Sequence, residues 1–383
     1  MRVIFWFSLF IIFWANIGYP LSILLLGKLI NKKNKKNYGF TPTVTVMVVA
    51  HNEEAVILDK LNNLKKIEYP KEKIEFLIAS DNSTDGTNSI VEKYIKDNPK
   101  IKLKLYKAKK RMGKTNAQNE AQKIVNTEYL VMTDANAMLA EDSVKELMSS
   151  FTSNDISYVA GKLIYVNQST SETSQAESGY WNMDLKIREI ESRIQTITAG
   201  NGALYACRNR DYIDFNPIKS HDSSMPIFYA LEGKRAIANH DAVAYEKAGE
   251  STEDEFKRKV RMNRVILNHI MPSLRILNIF KYKWFTYFYL GHRTSRYLLW
   301  ISHLILLVSN FQLAFISKVY FGILILHTTF WGIAILKQLI NTNDKASTII
   351  HYYATTIMAQ WKGVINIITG QAKPFWEKAE STR

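Results

Sequence analysis

Between Val44 and Asp134 the chain alternates short β-branched runs with helical stretches, and the runs end on polar clusters. Val44–Ala50 (VTVMVVA) reads as a buried strand, Glu53–Lys66 as a helix, Ile74–Ser80 as a second strand and Asn88–Lys96 as a second helix. Ile101–Tyr106, Asn116–Val125 and Tyr129–Thr133 continue the series to Asp134. Strand and helix in strict alternation predict an α/β fold: a parallel sheet with helices on both faces. Such sheets bind ligands beyond the carboxyl ends of their strands, and the polar clusters sit there. Residues 156–250 hold further strands and helices in a less regular order.

The flanks are apolar. Val3–Leu26 is long enough to cross a bilayer at roughly 20 residues per span, and Lys28, Lys32, Lys33, Lys35 and Lys36 follow it. A cleaved signal peptide is disfavoured: the only charge upstream is Arg2, and no small-residue cleavage pattern follows. The lysines predict that the next domain faces the cytoplasm. The domain reading is an anchor over 1–30, a soluble domain over 42–265, and an aromatic, basic interfacial segment over 275–296. Two spans follow over 297–336 (Tyr297–Ile316 and Val319–Leu336), then an interfacial or re-entrant helix and tail over 348–383, where Gln360 and Lys362 argue against a full span. The formal net charge is +15. No zinc-finger, RNA-recognition or recognition-helix pattern accompanies it, so nucleic acid is not an expected partner; the lysines cluster beside apolar segments, as membrane lipid requires. The one cysteine, Cys207, can form no intrachain disulfide and reads as a small core residue.

Several residues could carry chemistry. Asp81 opens D-N-S-T-D-G-T at a strand end, where a carboxylate can meet a nucleoside but where any tight turn uses the same residues. Lys109–Lys114 (KKRMGK) precedes a helix and offers cations and a glycine to a diphosphate, or is a solvated basic loop. Asp134 and Asn136 could place two oxygens on one hard cation, or serve a turn. Gly200, Asn201 and Gly202 allow a tight bend against a ligand or make a plain loop. Asp222 is either a helix cap or a general base for an acceptor hydroxyl, and its neighbour His221 reads as structural. Arg258 and Arg261, in the basic stretch Lys257–Arg264, suit phosphate or lipid contacts, or a solvated face.

The order of these pieces resembles the family 2 glycosyltransferases: V-V-A-H-N-E-E, D-N-S-T-D-G-T, K-R-M-G-K-T-N, T-D-A-N, G-N-G-A-L-Y-A and then H-D. The flanking apolar segments are similar to those of the membrane-embedded branch, the cellulose- and hyaluronan-synthase-like and exopolysaccharide or capsule enzymes. The resemblance implies a GT-A fold (a Rossmann-like mixed sheet, mainly parallel, with helices on both faces) with N- and C-terminal transmembrane and interfacial helices, and inverting transfer of a sugar from a nucleotide sugar, UDP-linked, to a hydroxyl of a lipid-linked or membrane-near glycan. It implies Glu53, Asp81, Lys114 and Asp134 on the donor nucleotide and Mg2+ or Mn2+ on Asp134 and Asn136. Gly200–Gly202 would then lie on the acceptor side, with Asp222 as catalytic base. Bacterial surface polysaccharide synthesis at the cytoplasmic membrane, by a multi-pass protein, is the expected setting.

Two departures from the family pattern stand out. Asn136 replaces the second metal carboxylate. The Q-x-x-R-W motif of processive synthases is missing, the nearest stretch being Arg258-Lys259-Val260-Arg261-Met262. A single-sugar transferase is therefore expected over a processive synthase. A catalytically silent nucleotide-binding subunit is the rival of another class, and retention of Asp81, Asp134 and Asp222 together argues against it.

Overall fold

The computed structural model describes residues 1–30, 32–166, 172–247, 252–340 and 344–375. The chain divides into two compact units: a sheet unit of Ile30–Asn167, Arg188–Ala248 and Lys373–Arg383, and a helical unit of Met1–Leu29, Gln168–Ile187 and Gly249–Ala372. Residues 252–265 thus fall with the helical unit. Part of the expected tail, 376–383, lies outside the described residues.

The sheet unit holds β1 (Val44–Ala50), β2 (Ile74–Ser80), β3 (Leu103–Lys107), β4 (Tyr129–Asp134), β5 (Met138–Leu139), β6 (Ile156–Tyr165), β7 (Leu204–Arg208) and β8 (Arg235–Glu246). They form one sheet in the order β3-β2-β1-β4-β7-β6-β8-β5. The expectation of a mainly parallel sheet is corrected: the sheet is mixed. The ladders β1–β2, β1–β4, β2–β3 and β6–β8 are parallel, whereas β4–β7, β6–β7 and β5–β8 are antiparallel. The two-residue side-chain period is the same in both kinds of ladder, so it carries no direction.

Alternate residues of β1 feed two cores. Val44, Val46 and Val48 pack with Ile57, Leu61, Leu64 and Val91 on one face. Met47 and Val49 pack with Ala117, Ala121, Leu130 and Met132 on the other. Each fully buried Val, Leu or Ile contributes about 1.5–3 kcal/mol. The first helix of the unit runs Ile57–Lys65, later than the expected start at Glu53. Asn52 takes a left-handed backbone, φ 54°, and the Glu53 and Glu54 N–H groups donate to Thr87 Oγ1 (2.7 Å) and Asp85 Oδ2 (3.1 Å) instead of opening a helix.

In the helical unit, Arg2–Leu29 (28 residues, mean hydropathy 2.0) and Lys318–Ile340 (23 residues, 1.9) are long and apolar enough to cross a membrane. Trp284–Tyr297 and Leu299–Ala314 qualify only as a pair, bent by 60°. The expected span Tyr297–Ile316 is thus a 16-residue helix, Leu299–Ala314, short of the roughly 20 residues a bilayer needs unless its bent neighbour completes it. Lys345–Ile368 is one 24-residue helix. Its Gln360 accepts from Trp300 N (3.2 Å) and donates to Arg296 O (2.9 Å), which accounts for an amide on an otherwise packed face.

Candidate active site

The strand order puts β2, β1 and β4 side by side and parallel, so the loops after Ser80, Ala50 and Asp134 share one edge of the sheet. The first two loops are laced together. Asn52 Oδ1 accepts from Thr84 N (2.8 Å), Asn52 N donates to Ser83 Oγ (3.1 Å), and Glu54 Oε2 accepts from Gly86 N (2.7 Å). Asp85 accepts from Thr87 N at 3.0 Å, two residues on. Asp81 is buried, and its carboxylate accepts from the backbone N–H groups of Met112 (3.0 Å) and Gly113 (2.8 Å). A carboxylate has about four acceptor positions, so Asp81 holds the K-R-M-G loop and keeps capacity for a ligand. Gly113 stands at φ 94°, where only glycine is unstrained, and the backbone carbonyl of Pro374 lies 2.5 Å from where a Cβ would be. Arg111 stacks on Phe375, guanidinium carbon 4.8 Å from the ring centre. The segment 373–375 therefore covers this loop.

Lys114 begins the helix Lys114–Gln122. Its ammonium donates to Asp134 Oδ1 and, at 3.0 Å, to the carbonyl of Gly202. The antiparallel β7 makes this possible: Leu204 pairs with Thr133, so residues just before 204 lie beside those just after 133. Asp222 closes the cluster. It occupies the first turn of the helix His221–Leu231, whose N-cap is Ser220, so Asp222 is not the cap. Its backbone carbonyl accepts from Gly200 N at 2.7 Å. A Cβ at Gly202 would sit 3.5 Å from both Asp222 Oδ2 and Lys114 Nζ. Asn201 Oδ1 accepts from Ala203 N at 2.9 Å, which folds the loop on itself. Arg188 Nη1 binds the carbonyls of Ala199 (3.3 Å) and Gly200 (2.5 Å) from beneath.

Asn136 donates its amide to Glu246 Oε1 at 2.8 Å, because β5 pairs with β8 through Met138 and Tyr245. That leaves the Asn136 amide oxygen and the Asp134 carboxylate as oxygen donors. Among the described residues, no group of three or more His, Cys, Asp or Glu side chains is placed to hold a metal. One carboxylate and one carboxamide oxygen suit a hard cation that completes its shell from a diphosphate and water. The residues present thus fit Mg2+ or Mn2+ carried with a nucleotide.

Of the expected residues, Lys114, Asp134, Gly200–Gly202 and Asp222 come together, with Asp81 behind the loop before Lys114. Glu53 lies in the neighbouring loop, buried. Arg258 and Arg261 stand on Thr252–Met262 in the helical unit, where Glu255 grips Arg258 through two hydrogen bonds (2.6 and 2.9 Å). Cys207 is buried, as expected, and burial pushes its thiol up.

Sequence reasoning missed two residues here. Lys60 is wholly buried, donating to Thr133 Oγ1 (3.0 Å) and to the carbonyl of Ala137, so it bridges both ends of the turn bearing Asp134 and Asn136. Burial lowers it to about 7 against the pull of Asp134 and Glu246. Its signal was positional: Ile57, Lys60, Leu61 and Leu64 form one i, i+3, i+4, i+7 stripe. Tyr158 is also wholly buried, stacked on Tyr205 at 5.2 Å, and its hydroxyl lies 1.8 Å from where Gly200 would carry a Cβ. Burial, then the charge of Asp222, holds its phenol well above the usual range.

Residues 45–214 match the model of Glycosyl transferase family 2. The match covers less than half of the chain; with the mixed sheet and the basic and acidic cluster at its strand ends, it marks these residues as similar to a glycosyltransferase domain of that family. A β-monoglucosyldiacylglycerol synthase of Nostoc sp. is 27% identical over 207 residues, 53% of this chain and 44% of that protein. A poly-β-1,6-N-acetyl-D-glucosamine synthase of Staphylococcus aureus is 28% identical over 144 residues, 38% and 32%. The matched stretch is therefore less than half the length of these relatives. A mannosyltransferase from Pyrobaculum calidifontis, solved in complex with GDP-Man and Mn2+, superposes with a TM-score of 0.70 at 20% identity, covering 96% of this chain and 99% of that one.

Proposed function

We propose that this protein is a membrane-anchored, inverting glycosyltransferase that moves one sugar from a nucleoside-diphosphate sugar, UDP-linked, to a hydroxyl of a lipid-linked or membrane-near glycan. The observation that carries the reading is the convergence of Lys114, Asp134, Gly202 and Asp222 at one end of the sheet. A cation for the departing diphosphate and a carboxylate for the incoming hydroxyl are the two groups a single displacement needs.

In this reading Asp81 and the K-R-M-G loop seat the nucleotide, and the Lys114 ammonium faces its diphosphate. Asp134 and the Asn136 oxygen would hold Mg2+ or Mn2+, which neutralises charge on the leaving group. Asp222 takes the proton of the acceptor hydroxyl as its oxygen attacks the anomeric carbon from the face opposite the diphosphate. The Gly200–Gly202 loop, without side chains at its glycines, leaves room for the acceptor. The apolar helices Arg2–Leu29 and Lys318–Ile340 support anchorage in the bacterial cytoplasmic membrane. The missing Gln and Trp near Arg258–Met262, and the two or, with the bent pair, three candidate spans among the described residues, favour a single transfer over a processive synthase. Surface polysaccharide or glycolipid synthesis is the setting that the names of the relatives support.

Two measurements test this. UDP should bind the detergent-purified protein saturably, more tightly with Mn2+, and Asp81→Ala should abolish binding; failure of a folded protein to bind UDP, GDP or dTDP would refute the donor site. UDP-glucose, UDP-N-acetylglucosamine and GDP-mannose, offered with diacylglycerol or lipid-linked saccharide in micelles, should yield nucleotide release. Asp222→Asn should slow that release by roughly 100-fold or more.

A further inference from the structure

The helix that begins at Lys114 has a buried stripe made of polar residues. Thr115, Gln118, Asn119 and Gln122 fall at i, i+3, i+4 and i+7, and the first three are almost wholly buried. Every one of them bonds to the segment that leads into Asp222. Thr115 Oγ1 donates to Lys219 O (2.5 Å) and Asn119 Nδ2 to Phe215 O (2.9 Å). Tyr212 Oη donates to Asn119 Oδ1 (3.1 Å), and Gln122 Nε2 to Asn209 Oδ1 (2.7 Å). The fifth link is between the Gln118 carboxamide and His221 Nδ1, 2.9 Å apart.

The His221 ring is buried between Tyr212 (ring centres 5.1 Å) and Phe215 (5.4 Å). Its other nitrogen, Nε2, lies 3.2 Å from the carbonyl of Ile213, which can only accept. Nε2 therefore carries a proton. Burial pushes His221 down to about 4, so the ring is neutral and Nδ1 is an acceptor. The structure sets Gln118 Oε1 against His221 Nδ1 and Gln118 Nε2 3.2 Å from Tyr205 Oη; with Nδ1 an acceptor, we assign the carboxamide the reverse sense, NH2 to Nδ1 and oxygen to the Tyr205 hydroxyl, since its two ends have the same shape and bond polarity decides between them. The result is a directed chain: Tyr205 O–H to Gln118, Gln118 N–H to His221 Nδ1, His221 Nε2–H to Ile213 O. It leaves the ring no freedom to rotate or tilt.

We propose that His221, locked by Gln118, is a positioning residue that fixes the first helical turn carrying Asp222, so that the helix starting at Lys114 sets the distance between the donor cation and the base. The inference rests on the reading of Asp222 as base. Asp222 follows His221 directly, its backbone carbonyl is bonded to Gly200, and its carboxylate faces Gly202. A displacement of about 1 Å there costs roughly 100-fold in rate.

The test compares Gln118→Met and His221→Leu, which keep volume and remove the bonds, with His221→Gln, whose amide can accept from Gln118 and donate to Ile213. UDP affinity, donor KM and kcat for nucleotide release are measured on the full chain in detergent. Gln118→Met is expected to lower kcat about 10- to 100-fold while UDP affinity and donor KM stay within about twofold; His221→Gln is expected to stay within roughly fivefold of the parent. Loss of fold alone would lower UDP binding and active fraction together and leave the kcat of the folded fraction unchanged. Normal kcat in both Gln118→Met and His221→Leu, beside an inactive Asp222→Asn, overturns the positioning role and leaves the base in place. An active Asp222→Asn overturns both.

Discussion

Gly200→Ala puts a methyl group where the structure has none to spare. The new Cβ would lie 1.8 Å from Tyr158 Oη, 2.6 Å from Cζ and 2.9 Å from Cε1. Ordinary contact begins near 3.4 Å, so ring and loop must separate by about 1.6 Å (3.4 − 1.8). Neither side moves freely. Tyr158 is wholly buried against Tyr205, and Gly200 is tied through its N–H to Asp222 and through its carbonyl to Arg188. Overpacking of this kind costs about 1–3 kcal/mol, a fall in melting temperature of roughly 5 °C for a unit of this size. Because Gly200 N–H is bonded to the Asp222 carbonyl, a shift of the loop disturbs the base, and turnover is expected to drop roughly 100-fold. The assay pairs thermal unfolding in detergent with nucleotide release for Gly200→Ala, Tyr158→Phe and the double variant. Among the described residues the Tyr158 hydroxyl has no hydrogen bond of good geometry, the Asn201 backbone being a polar neighbour, so Tyr158→Phe alone should cost less than about 1 kcal/mol. The double variant should recover about 1 kcal/mol, since the closest atom is gone. A Gly200→Ala protein as stable and active as the parent, or costs that simply add in the double variant, would refute the close-approach argument.

Two further outcomes are expected. Lys60 is held at about 7 in the folded chain against 10.5 when free. Between those values the unfolded chain binds a proton that the folded chain does not, so stability rises with pH by about 1.4 kcal/mol per unit, and below pH 7 the slope disappears. Thermal melts from pH 7 to 9 should therefore shift upward in the parent and stay flat in Lys60→Met; equal slopes would show that Lys60 is not the group responsible. Asn136→Asp restores a second carboxylate beside Asp134. Mn2+ titration in the presence of UDP, followed by electron paramagnetic resonance, should show roughly 10-fold tighter binding, whereas unchanged affinity would place the cation away from residue 136.

Local pattern carried a good part of this molecule. The runs 44–50, 74–80 and 129–134 are strands because β-branched and apolar residues suit a sheet covered on both faces. Their ends are polar because the chain leaves the core there. Asp81, Lys114, Asp134 and Asp222 are each ambiguous alone, since turns, loops and helix caps use the same residues, and only the order of their motifs, through its resemblance to family 2 glycosyltransferases, singles them out. The late start of the 57–65 helix was not legible, because hydrogen bonds to the 83–87 loop, distant in sequence, competed with the first helical turn.

What the sequence by itself determined is thus the set of elements, their alternation and the chemistry at their ends; these follow from short-range periodicity and burial. Only the tertiary structure decided strand direction beyond β4, and with it the site. An antiparallel β7 brings Gly200–Gly202 beside Asp134, and the β5–β8 pairing brings Glu246 to Asn136. It also decided that a lysine and a glutamine, at home on any solvated helix face, are buried at positions 60 and 118. A side chain's period says which face it lies on, but what covers that face is set by segments 73 to 103 residues away (Thr133 and Ala137 over Lys60, Tyr205 and His221 over Gln118).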